Sequence, residues 1–268
     1  MERDTIARIE AVERDAWLDL FAAAPPRLRD ALGVEQRSAG DGALFIVRAI
    51  DHIQFNRVGY LGLDGAAVAA TVDAAIAAFD AAGVKNWIVH VPDGALELAA
   101  ACAARGLTPH PRTWAKFVRD GKPPLAAATA FAVREVDGGA GREFGAAAAQ
   151  GFGMPPVVGE WLAALPGRRR WRCFAAFEGD RAVAAGAMFV NGTAAWLGIG
   201  ATLASHRGRG AQSALLAARI DAAIRSGCTV LTTETGMPQP GEAAPSYDNI
   251  RRAGFAIAYP RPNLRRAS

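Results

Sequence analysis

The sequence is poor in lysine and histidine. Lysine occurs only at positions 85, 116 and 122, although lysine and arginine together number 30, so arginine supplies nearly all of the positive charge. There are four histidines, and none has an HxxxH spacing. Since a protein metal site usually needs several closely spaced nitrogen or sulfur ligands, no metal cofactor is predicted.

Cysteine is equally scarce. Cys102, Cys173 and Cys228 lie far apart and form no CxxC pair or Cys/His cluster. Such a scattered, odd-numbered set is typical of reduced thiols packed in a core. A nucleophilic cysteine needs a neighbouring base, and the sequence pairs no histidine with any of the three.

Long runs of large apolar residues are also missing. Hydrophobic residues make up 51% of the chain, but much of that share is alanine, and no uninterrupted stretch reaches the roughly 18 residues that a membrane span needs. The first residues lack the apolar centre of a secretory signal. The expectation is a cytoplasmic protein without a membrane partner.

The formal net charge is +4, and the arginine-rich balance suits a polyanionic ligand, either nucleic acid or a phosphorylated cofactor. Arginines spread over a solvated surface would give the same composition. Charge alone therefore does not choose among these interpretations.

A length of 268 residues favours two domains. The polar, turn-forming segment 120–124 is the best boundary, because it contains glycine and two prolines that cannot continue a strand. We therefore expect domains at 1–124 and 125–268, with the alanine-rich segment 125–130 as a short linker.

The first half reads as a small α/β domain. Apolar spacing predicts a helix over 1–33 broken at Pro25–Pro26, and the Asp64–Gly65 pair predicts a turn into an alanine-rich helix that ends at Gly83. The remaining predicted elements are strands at 43–50, 87–91 and 113–118 and a helix at 96–105.

The second half predicts the order β-α-α-β-β-β-α-β-α-β. Turns at 178–180 and at Asn191–Gly192 join three consecutive strands, and Asn-Gly favours positive φ at both central positions. The expected fold class is α/β with one mixed sheet, which is antiparallel at first and has one βαβ crossover near its end. The helix–strand–helix–glycine–strand order of 209–259 recurs faintly at 65–118, so the first half is either a degenerate copy of the second or a chance likeness.

The segment 202–213 joins the third strand of this series to a helix. Glycines at 208 and 210 allow an anion to approach the backbone closely, and a helix N-terminus offers unpaired N–H groups and partial positive charge. Arg207 and Arg209 can add bidentate hydrogen bonds to phosphate oxygens. The chain has no P-loop motif, and the antiparallel strands before the segment exclude a dinucleotide-binding fold.

These residues resemble the acetyl-coenzyme A-binding motif of the GNAT superfamily of N-acetyltransferases, Q/R-x-x-G-x-G/A. Arg207, Gly208, Arg209, Gly210 and Ala211 match its common form, and the resemblance in element order extends over about 131–263. It implies a GNAT-like fold, acetyl-CoA as co-substrate, and an amine acceptor that is either a small molecule or a protein amine. The sequence leaves open whether the chain is a monomer or a homodimer.

The resemblance also implies particular roles. Backbone groups of Thr202, Leu203 and Ala204 would pair with the pantetheine arm, at the end of a strand that splays from its neighbour. The diphosphate would be held by N–H groups of a contiguous set, namely Arg207, Gly208, Arg209, Gly210, Ala211, Gln212 and Ser213.

This sequence departs from the family pattern at two positions. Gln212 replaces a glycine or alanine, so its side chain either crowds the anion site or adds a donor to it. Ile250 stands where many members have a tyrosine that protonates the leaving thiolate. Tyr247, one helical turn earlier, is then the candidate acid, although it could equally be a packing residue.

Glu234, just after a predicted strand, is the best candidate for the base that removes the amine proton, and the alternative is that it anchors the next loop. His206 is expected to be a solvated loop residue. Trp171 and Trp196 are expected in the core or in a pocket wall.

Two other functions compete with acyl transfer. The missing tyrosine at 250 favours a non-catalytic module that binds acyl-CoA, and the arginine content favours a nucleic-acid binder whose affinity would fall steeply with salt. The phosphate-binding motif places acyl transfer first and makes nucleic acid an unlikely partner.

Overall fold

The computed structural model describes residues 2–63 and 67–267. The chain divides into an N-terminal unit, made of Met1–Ala22, Pro26–Lys116 and Ala258–Ser268, and a C-terminal unit, made of Ala23–Pro25 and Phe117–Ile257. The last residues thus group with the first half, which local sequence patterns did not indicate. The reason is that the final strand pairs with two strands of the N-terminal unit.

The N-terminal unit is built from short elements around one mixed sheet. In chain order they are α1 (Arg3–Ala22), α2 (Pro26–Leu32), β1 (Val34–Ala39), β2 (Gly42–Val47), β3 (Arg57–Gly59), α3 (Val68–Ala82), β4 (Ile88–His90), α4 (Leu96–Ala103), β5 (Leu107–Pro109) and the start of β6 (Trp114–Arg119). With β13 (Asn263–Arg266), the sheet order is β1-β2-β3-β4-β13-β5. The β3 and β4 strands are parallel and are joined through α3.

Several local signals in this unit act as predicted. The helix breaks near Pro25–Pro26 as expected, since α1 ends at Ala22 and α2 begins at Pro26. The first N–H of a helix has no intrahelical acceptor, so proline loses no hydrogen bond at this position. Gly83 ends α3 in the left-handed region with φ 69°, which suits glycine. The predicted turn at Asp64–Gly65 lies outside the described residues.

The core of the N-terminal unit forms where α3 and α4 pack on the sheet. Phe79 of α3 stacks on Trp87 with ring centroids 4.6 Å apart, and Leu98 and Cys102 of α4 are fully buried beside them. Alanine fills eight of the fifteen positions of α3, so Phe79 is the largest side chain that this helix buries.

A buried ionic cluster ties α1 to Lys116 and Arg261 of the same unit. The carboxylates of Glu10 and Glu13, the Lys116 ammonium and the Arg261 guanidinium are all fully buried. Arg261 donates to both carboxylates at 2.9–3.1 Å, and Lys116 donates to Glu13. Burial by itself would raise the pKa of Glu13, but Arg261 and Lys116 outweigh it and hold that pKa well below its ordinary value. Removing one partner would leave a buried charge uncompensated.

The C-terminal unit contains β7 (Ala132–Val136), α5 (Gly141–Phe152), α6 (Pro156–Leu162), β8 (Trp171–Glu178), β9 (Arg181–Asn191), β10 (Ala194–Thr202), α7 (Ala211–Arg225), β11 (Val230–Gly236), α8 (Pro245–Arg252) and the start of β12 (Ala256–Arg261). Its sheet has the order β12-β6-β11-β10-β9-β8-β7. The β7 to β10 strands pair antiparallel, and β10 pairs parallel with β11 through the α7 crossover. The predicted element order and mixed sheet are therefore confirmed.

The hairpin between β9 and β10 differs from the prediction in one respect. Ala194 pairs with Asn191, so the two loop residues are Gly192 and Thr193, and Gly192 has φ 58° while Asn191 has no positive φ. The expectation of positive φ at both Asn191 and Gly192 is therefore wrong. A single positive φ at the first loop residue fits a type II′ turn, which also matches the right-handed twist of the strands.

In the part of the chain that the structure describes, no helix is long and apolar enough to cross a membrane.

Candidate acyl-CoA site

The candidate site begins where β10 ends. After Thr202 the chain forms a short 3-10 turn, Ala204–His206, and then an open loop before α7 starts at Ala211. In this loop Arg207, Gly208 and Arg209 are exposed and Gly210 is half-buried. The first intrahelical bond of α7 runs from the Ala214 N–H to the Gly210 carbonyl. The N–H groups before Ala214 therefore have no acceptor within the helix; Ala211 is buried, and Gln212 and Ser213 are half-buried.

Gly208 and Gly210 have different structural roles. Gly208 has φ 75° and Gly210 has φ 82°, so both adopt a backbone that favours glycine. A methyl group on Gly208 would meet nothing within 4 Å, whereas one on Gly210 would lie 3.4 Å from the Thr129 Cα and nearer still to the Ala128 carbonyl oxygen. Gly208 thus borders open space, and Gly210 allows a close backbone contact.

The segment 128–131 forms one wall of the loop, although its sequence reads as a plain linker. The Thr129 hydroxyl donates to the Arg209 carbonyl at 3.1 Å. The Arg209 guanidinium lies over the Phe131 ring, 4.4 Å from its centroid, and donates to Glu178 at 2.7 Å. These contacts hold the loop from outside, and Arg209 is paired with a carboxylate.

Arg207 bonds backbone carbonyl groups. Its guanidinium donates to the Thr202 oxygen at 3.3 Å and to the Gly151 oxygen, at the end of α5, at 3.1 Å. The side chain therefore braces the end of β10 against α5. Gly151 permits this approach, because a methyl group there would lie 2.9 Å from the Thr202 nitrogen.

Gln212 neither crowds the loop nor adds a donor to it. Its amide nitrogen donates to the Ala201 carbonyl at 2.7 Å and to the Thr202 hydroxyl at 3.0 Å, so the side chain faces the sheet. Next to it, the Ser213 hydroxyl donates to the Asn249 side chain at 2.6 Å, which links α7 to α8. The backbone N–H of Gln212 lies in the first turn of α7.

His206 is not the solvated loop residue that its sequence position suggested. It is buried, and its ring nitrogens lie 2.8 Å from the Ser205 hydroxyl and 3.1 Å from Glu178. The ring also packs near Phe131, with centroids 5.9 Å apart. The same carboxylate that pairs with Arg209 therefore also anchors the turn after β10.

The pairing between β10 and β11 ends near the start of β10. The two strands pair only over Ala194–Trp196 of β10, and the Thr233 hydroxyl then donates to the Leu197 carbonyl at 2.7 Å. Beyond this point, β10 continues to Thr202 beside β9 alone. The splay that the resemblance implied is therefore present, with its apex near Trp196 and Leu197.

The open part of β10 carries a β-bulge. The pairing with β9 passes from Gly198–Ala187 to Ala201–Ala185, so Ile199 and Gly200 together oppose Gly186. Ile199 has φ 54°, which is uncommon and strained for a β-branched residue. Bulges recur next to active sites, where they redirect backbone groups, and the Gly198-x-Gly200 pattern inside a strand was the sequence signal for this one.

Glu234 lies at the apex of the splay. It is half-buried on β11, and the indole N–H of Trp196 donates to its carboxylate at 2.9 Å. Trp171 packs against Trp196 with ring centroids 6.2 Å apart. Both tryptophans are buried, which agrees with the expectation of a core or pocket wall.

Tyr247 is half-buried on α8, and its ring packs edge-on against Phe117 at 5.3 Å. Ile250, one turn later, is buried at 7% exposure and so belongs to the apolar underside of the helix. Tyr247 and Glu234 therefore lie on two elements that are consecutive in the chain, α8 and β11, within one unit.

The three cysteines are buried and free, as expected. Burial raises the pKa of each thiol, and for Cys102 it raises the pKa to about 11. Thiols with such values stay protonated at neutral pH and are inert as nucleophiles. Among the described residues there is no group of His, Cys, Asp or Glu side chains that could hold a metal ion.

Solved structures with the same architecture cover nearly the whole chain. A GCN5-related N-acetyltransferase from Kribbella flavida superposes with a TM-score of 0.66 at 16% identity, over 98% of this chain and 95% of that one. The chain has the GNAT fold. A second GNAT structure, from Sphaerobacter thermophilus, gives a TM-score of 0.60 at 18% identity, over 97% of this chain and 90% of that one.

A third GNAT-fold structure is described as a tandem GNAT protein from the clavulanic acid biosynthesis pathway. It gives a TM-score of 0.57 at 15% identity, over 96% of this chain and 95% of that one. No protein-family model and no curated protein matches the sequence. At these identities the likeness establishes the fold, while the chemistry depends on the site residues.

Proposed function

We propose that this protein is an N-acyltransferase that transfers an acetyl group from acetyl-CoA to an amine. The observation that carries the proposal is the combination of a splayed β10–β11 pair with an exposed, glycine-containing loop that leads from β10 into the first turn of α7. The loop offers an anion site and the splay offers an extended cleft. A long ligand with a diphosphate at one end and a thioester at the other suits this arrangement.

In this proposal, backbone N–H groups hold the diphosphate. Amides at a helix N-terminus are preorganised for an anion, and the open space beside Gly208 leaves room for phosphate oxygens. Of the set expected from the sequence, Thr202 and Ala204 flank the pantetheine arm in this proposal, and the N–H groups for the diphosphate come from Gly208, Arg209, Gly210, Ala211, Gln212 and Ser213. The Leu203 N–H donates to the Val183 carbonyl at 3.0 Å and the Arg207 N–H to the Ala204 carbonyl at 3.4 Å, so these two residues shape the site instead.

The two arginines would contribute differently. Arg207 is engaged with the Thr202 and Gly151 carbonyls, so it acts by holding the end of β10. Arg209 is 44% exposed and paired with a half-exposed Glu178, and solvent screens an exposed pair of this kind. Arg209 can therefore exchange that carboxylate for a phosphate, since a guanidinium forms the same bidentate, charge-assisted hydrogen bonds with either group.

The reaction would be direct transfer between two bound substrates. Glu234, held by the Trp196 indole, accepts the amine proton directly or through water. The amine nitrogen, freed of its first proton, then bonds to the thioester carbonyl carbon, and the carbonyl electrons move onto oxygen. The nitrogen gives up its second proton to water, and the tetrahedral intermediate collapses to the amide by breaking the C–S bond. Tyr247 gives its proton to the departing sulfur and regains one from solvent.

The test is capture of released coenzyme A by a thiol reagent across a library of small amines, N-terminal peptides and lysine peptides. Turnover above the uncatalysed rate with at least one amine class supports the proposal. A Glu234→Gln variant should lower kcat by about 100-fold or more if the carboxylate is the base. Acetyl-CoA binding without turnover for any amine would instead indicate a binding module, and absence of acetyl-CoA binding would overturn the proposal.

A further inference from the structure

A buried arginine lies directly behind the bulge of β10. Arg219, two helical turns into α7, is 2% exposed. No carboxylate among the described residues forms an ion pair with it, and its guanidinium instead donates to backbone carbonyls. Burial lowers the pKa of Arg219 to about 10, so it still carries its charge at neutral pH. Burying a charge without an ion-pair partner is unfavourable, so the hydrogen bonds from the guanidinium to backbone carbonyls must offset that cost.

The guanidinium binds both strands at the bulge. It donates to the Ala187 carbonyl of β9 at 3.2 Å and to the Gly198 carbonyl of β10 at 3.0 Å. Gly186, the residue opposite the bulge, makes room for it, because a methyl group there would lie 2.8 Å from the guanidinium carbon. Gly186 and the bulge thus accommodate this one side chain.

The Gln212 amide performs the matching task at the other end of the bulge. Gln212 and Arg219 are seven positions apart, so their side chains lie on the same face of α7. Gln212 donates to the Ala201 carbonyl, while Arg219 donates to the Gly198 carbonyl. The carbonyls on both sides of the bulge are therefore directed toward α7.

Peptide geometry converts this contact into an orientation for an N–H group. In a planar trans peptide the C=O of one residue and the N–H of the next point in opposite directions. Because the Gly198 carbonyl points at Arg219, the Ile199 N–H points away from α7, in the open part of β10 beyond its pairing with β11. A cation bound to the carbonyl oxygen also polarises that peptide and strengthens its N–H as a donor.

We propose that Arg219 is a positioning residue for acyl transfer, whose guanidinium aims and polarises the Ile199 N–H toward the carbonyl oxygen of the bound thioester. This inference rests on the proposed function. As the amine adds to the carbonyl carbon, negative charge builds on that oxygen, and the Ile199 N–H stabilises it by a shortened hydrogen bond. Arg219 itself touches no substrate.

The test compares Arg219→Met and Arg219→Lys with Arg172→Met. Arg172 is a matched control, because it also donates to a carbonyl of α7, at Ala222, and forms an ion pair, but it has no bond to β10. The measurements are kcat, KM for acetyl-CoA, and the infrared carbonyl frequency of bound acetyl-CoA labelled at the thioester carbon.

For Arg219→Met we expect kcat to fall about 10- to 100-fold with KM nearly unchanged, because a donor misplaced by about 1 Å has a cost of that order. The bound carbonyl frequency should move back toward that of free acetyl-CoA. Arg219→Lys should recover part of both effects, and Arg172→Met should match the wild type. An Arg219→Met protein with the kcat and carbonyl frequency of Arg172→Met would overturn the inference.

Should Arg219→Met fail to fold, Gly186→Ala carries the test, because its methyl group displaces the guanidinium without removing it. Gly138→Ala is the control, since a methyl group there would make only an ordinary contact at 3.7 Å. We expect kcat to fall about 3- to 10-fold in Gly186→Ala and to stay at the wild-type value in Gly138→Ala, because displacing the guanidinium should move the Ile199 N–H less than removing it does. Equal kcat in the two variants would contradict the inference. If the wild type itself shows no acetyl-CoA binding or turnover, the proposed function fails, which is a separate outcome.

Discussion

Substituting alanine for each glycine of the loop should separate its two roles. Gly210→Ala places an L-residue at φ 82°, which has a cost of about 1–2 kcal/mol. The new methyl group would also lie 3.3 Å from the Ala128 carbonyl carbon and nearer to its oxygen. The obstacle is backbone, so either the 128–129 segment or the first turn of α7 must move, at about 1–3 kcal/mol for overpacking. The expected loss of stability is therefore roughly 2–5 kcal/mol.

Gly208→Ala is the matched variant. Its φ of 75° brings the same backbone cost of about 1–2 kcal/mol, but its methyl group meets nothing within 4 Å. That group would instead occupy the space proposed for the diphosphate. Gly208→Ala should therefore be the more stable variant, and its affinity for acetyl-CoA should still fall by about tenfold or more, which corresponds to about 1.4 kcal/mol.

Urea unfolding and calorimetric titration with acetyl-CoA would measure both quantities. The reasoning predicts that Gly210→Ala is less stable than Gly208→Ala by about 1–3 kcal/mol, the packing contribution alone. Equal stability of the two variants would refute the close contact at Gly210. Wild-type affinity in Gly208→Ala would refute the placement of the diphosphate.

Three further outcomes are expected. Glu13→Gln should destabilise the protein by about 3–5 kcal/mol near neutral pH. Because the pKa of Glu13 is lowered in the folded protein, the stabilisation from its charge is fully present above the ordinary pKa of 4.5 and is lost as the pH falls below that value. Urea titrations should therefore show the difference in unfolding free energy between wild type and Glu13→Gln becoming smaller in acid. A difference that stays constant with pH would contradict this. Tyr247→Phe should lower kcat by about 100-fold without raising KM for acetyl-CoA, and unchanged kcat in steady-state assays would exclude the phenol as the acid. Cys102, whose pKa burial raises to about 11, should resist alkylation until the protein unfolds, and fast labelling of the native protein would contradict its burial.

The order of elements in the C-terminal unit was readable from the sequence because glycine and proline mark nearly every boundary. Gly179 and Gly192 lie in hairpins, and Gly153, Gly227 and Gly254 follow helices, all with positive φ. These are local signals with local causes, since only glycine adopts such backbone easily. The loop at 207–212 was readable for the same reason.

The parts that the sequence did not reveal depend on contacts between distant residues. Asn263 and Leu264 pair with β4, about 170 positions earlier in the chain, and no local pattern encodes such a partner. Likewise, Thr129 reads as linker and becomes a wall of the loop only because Arg209 folds against it.

The candidate site shows the same limit. Periodicity placed Arg219 on a helix, but its role follows from the Gly186 space and the bulge at Ile199, which exist only in the folded sheet. Gln212 looked like a departure that either crowds the anion site or adds a donor to it. The Gln212 side chain instead donates to the Ala201 carbonyl of β10. This departure from the family motif therefore affects the strand that precedes the loop.

Hydrogen exchange of the backbone amides, measured with and without acetyl-CoA, tests the central claim most directly. If N–H groups at the start of α7 hold the diphosphate, peptides covering 207–213 should exchange more slowly in the presence of acetyl-CoA, and 3′-dephospho-CoA, which keeps the diphosphate, should protect the same segment. Unchanged exchange of 207–213 at saturating acetyl-CoA would contradict the account.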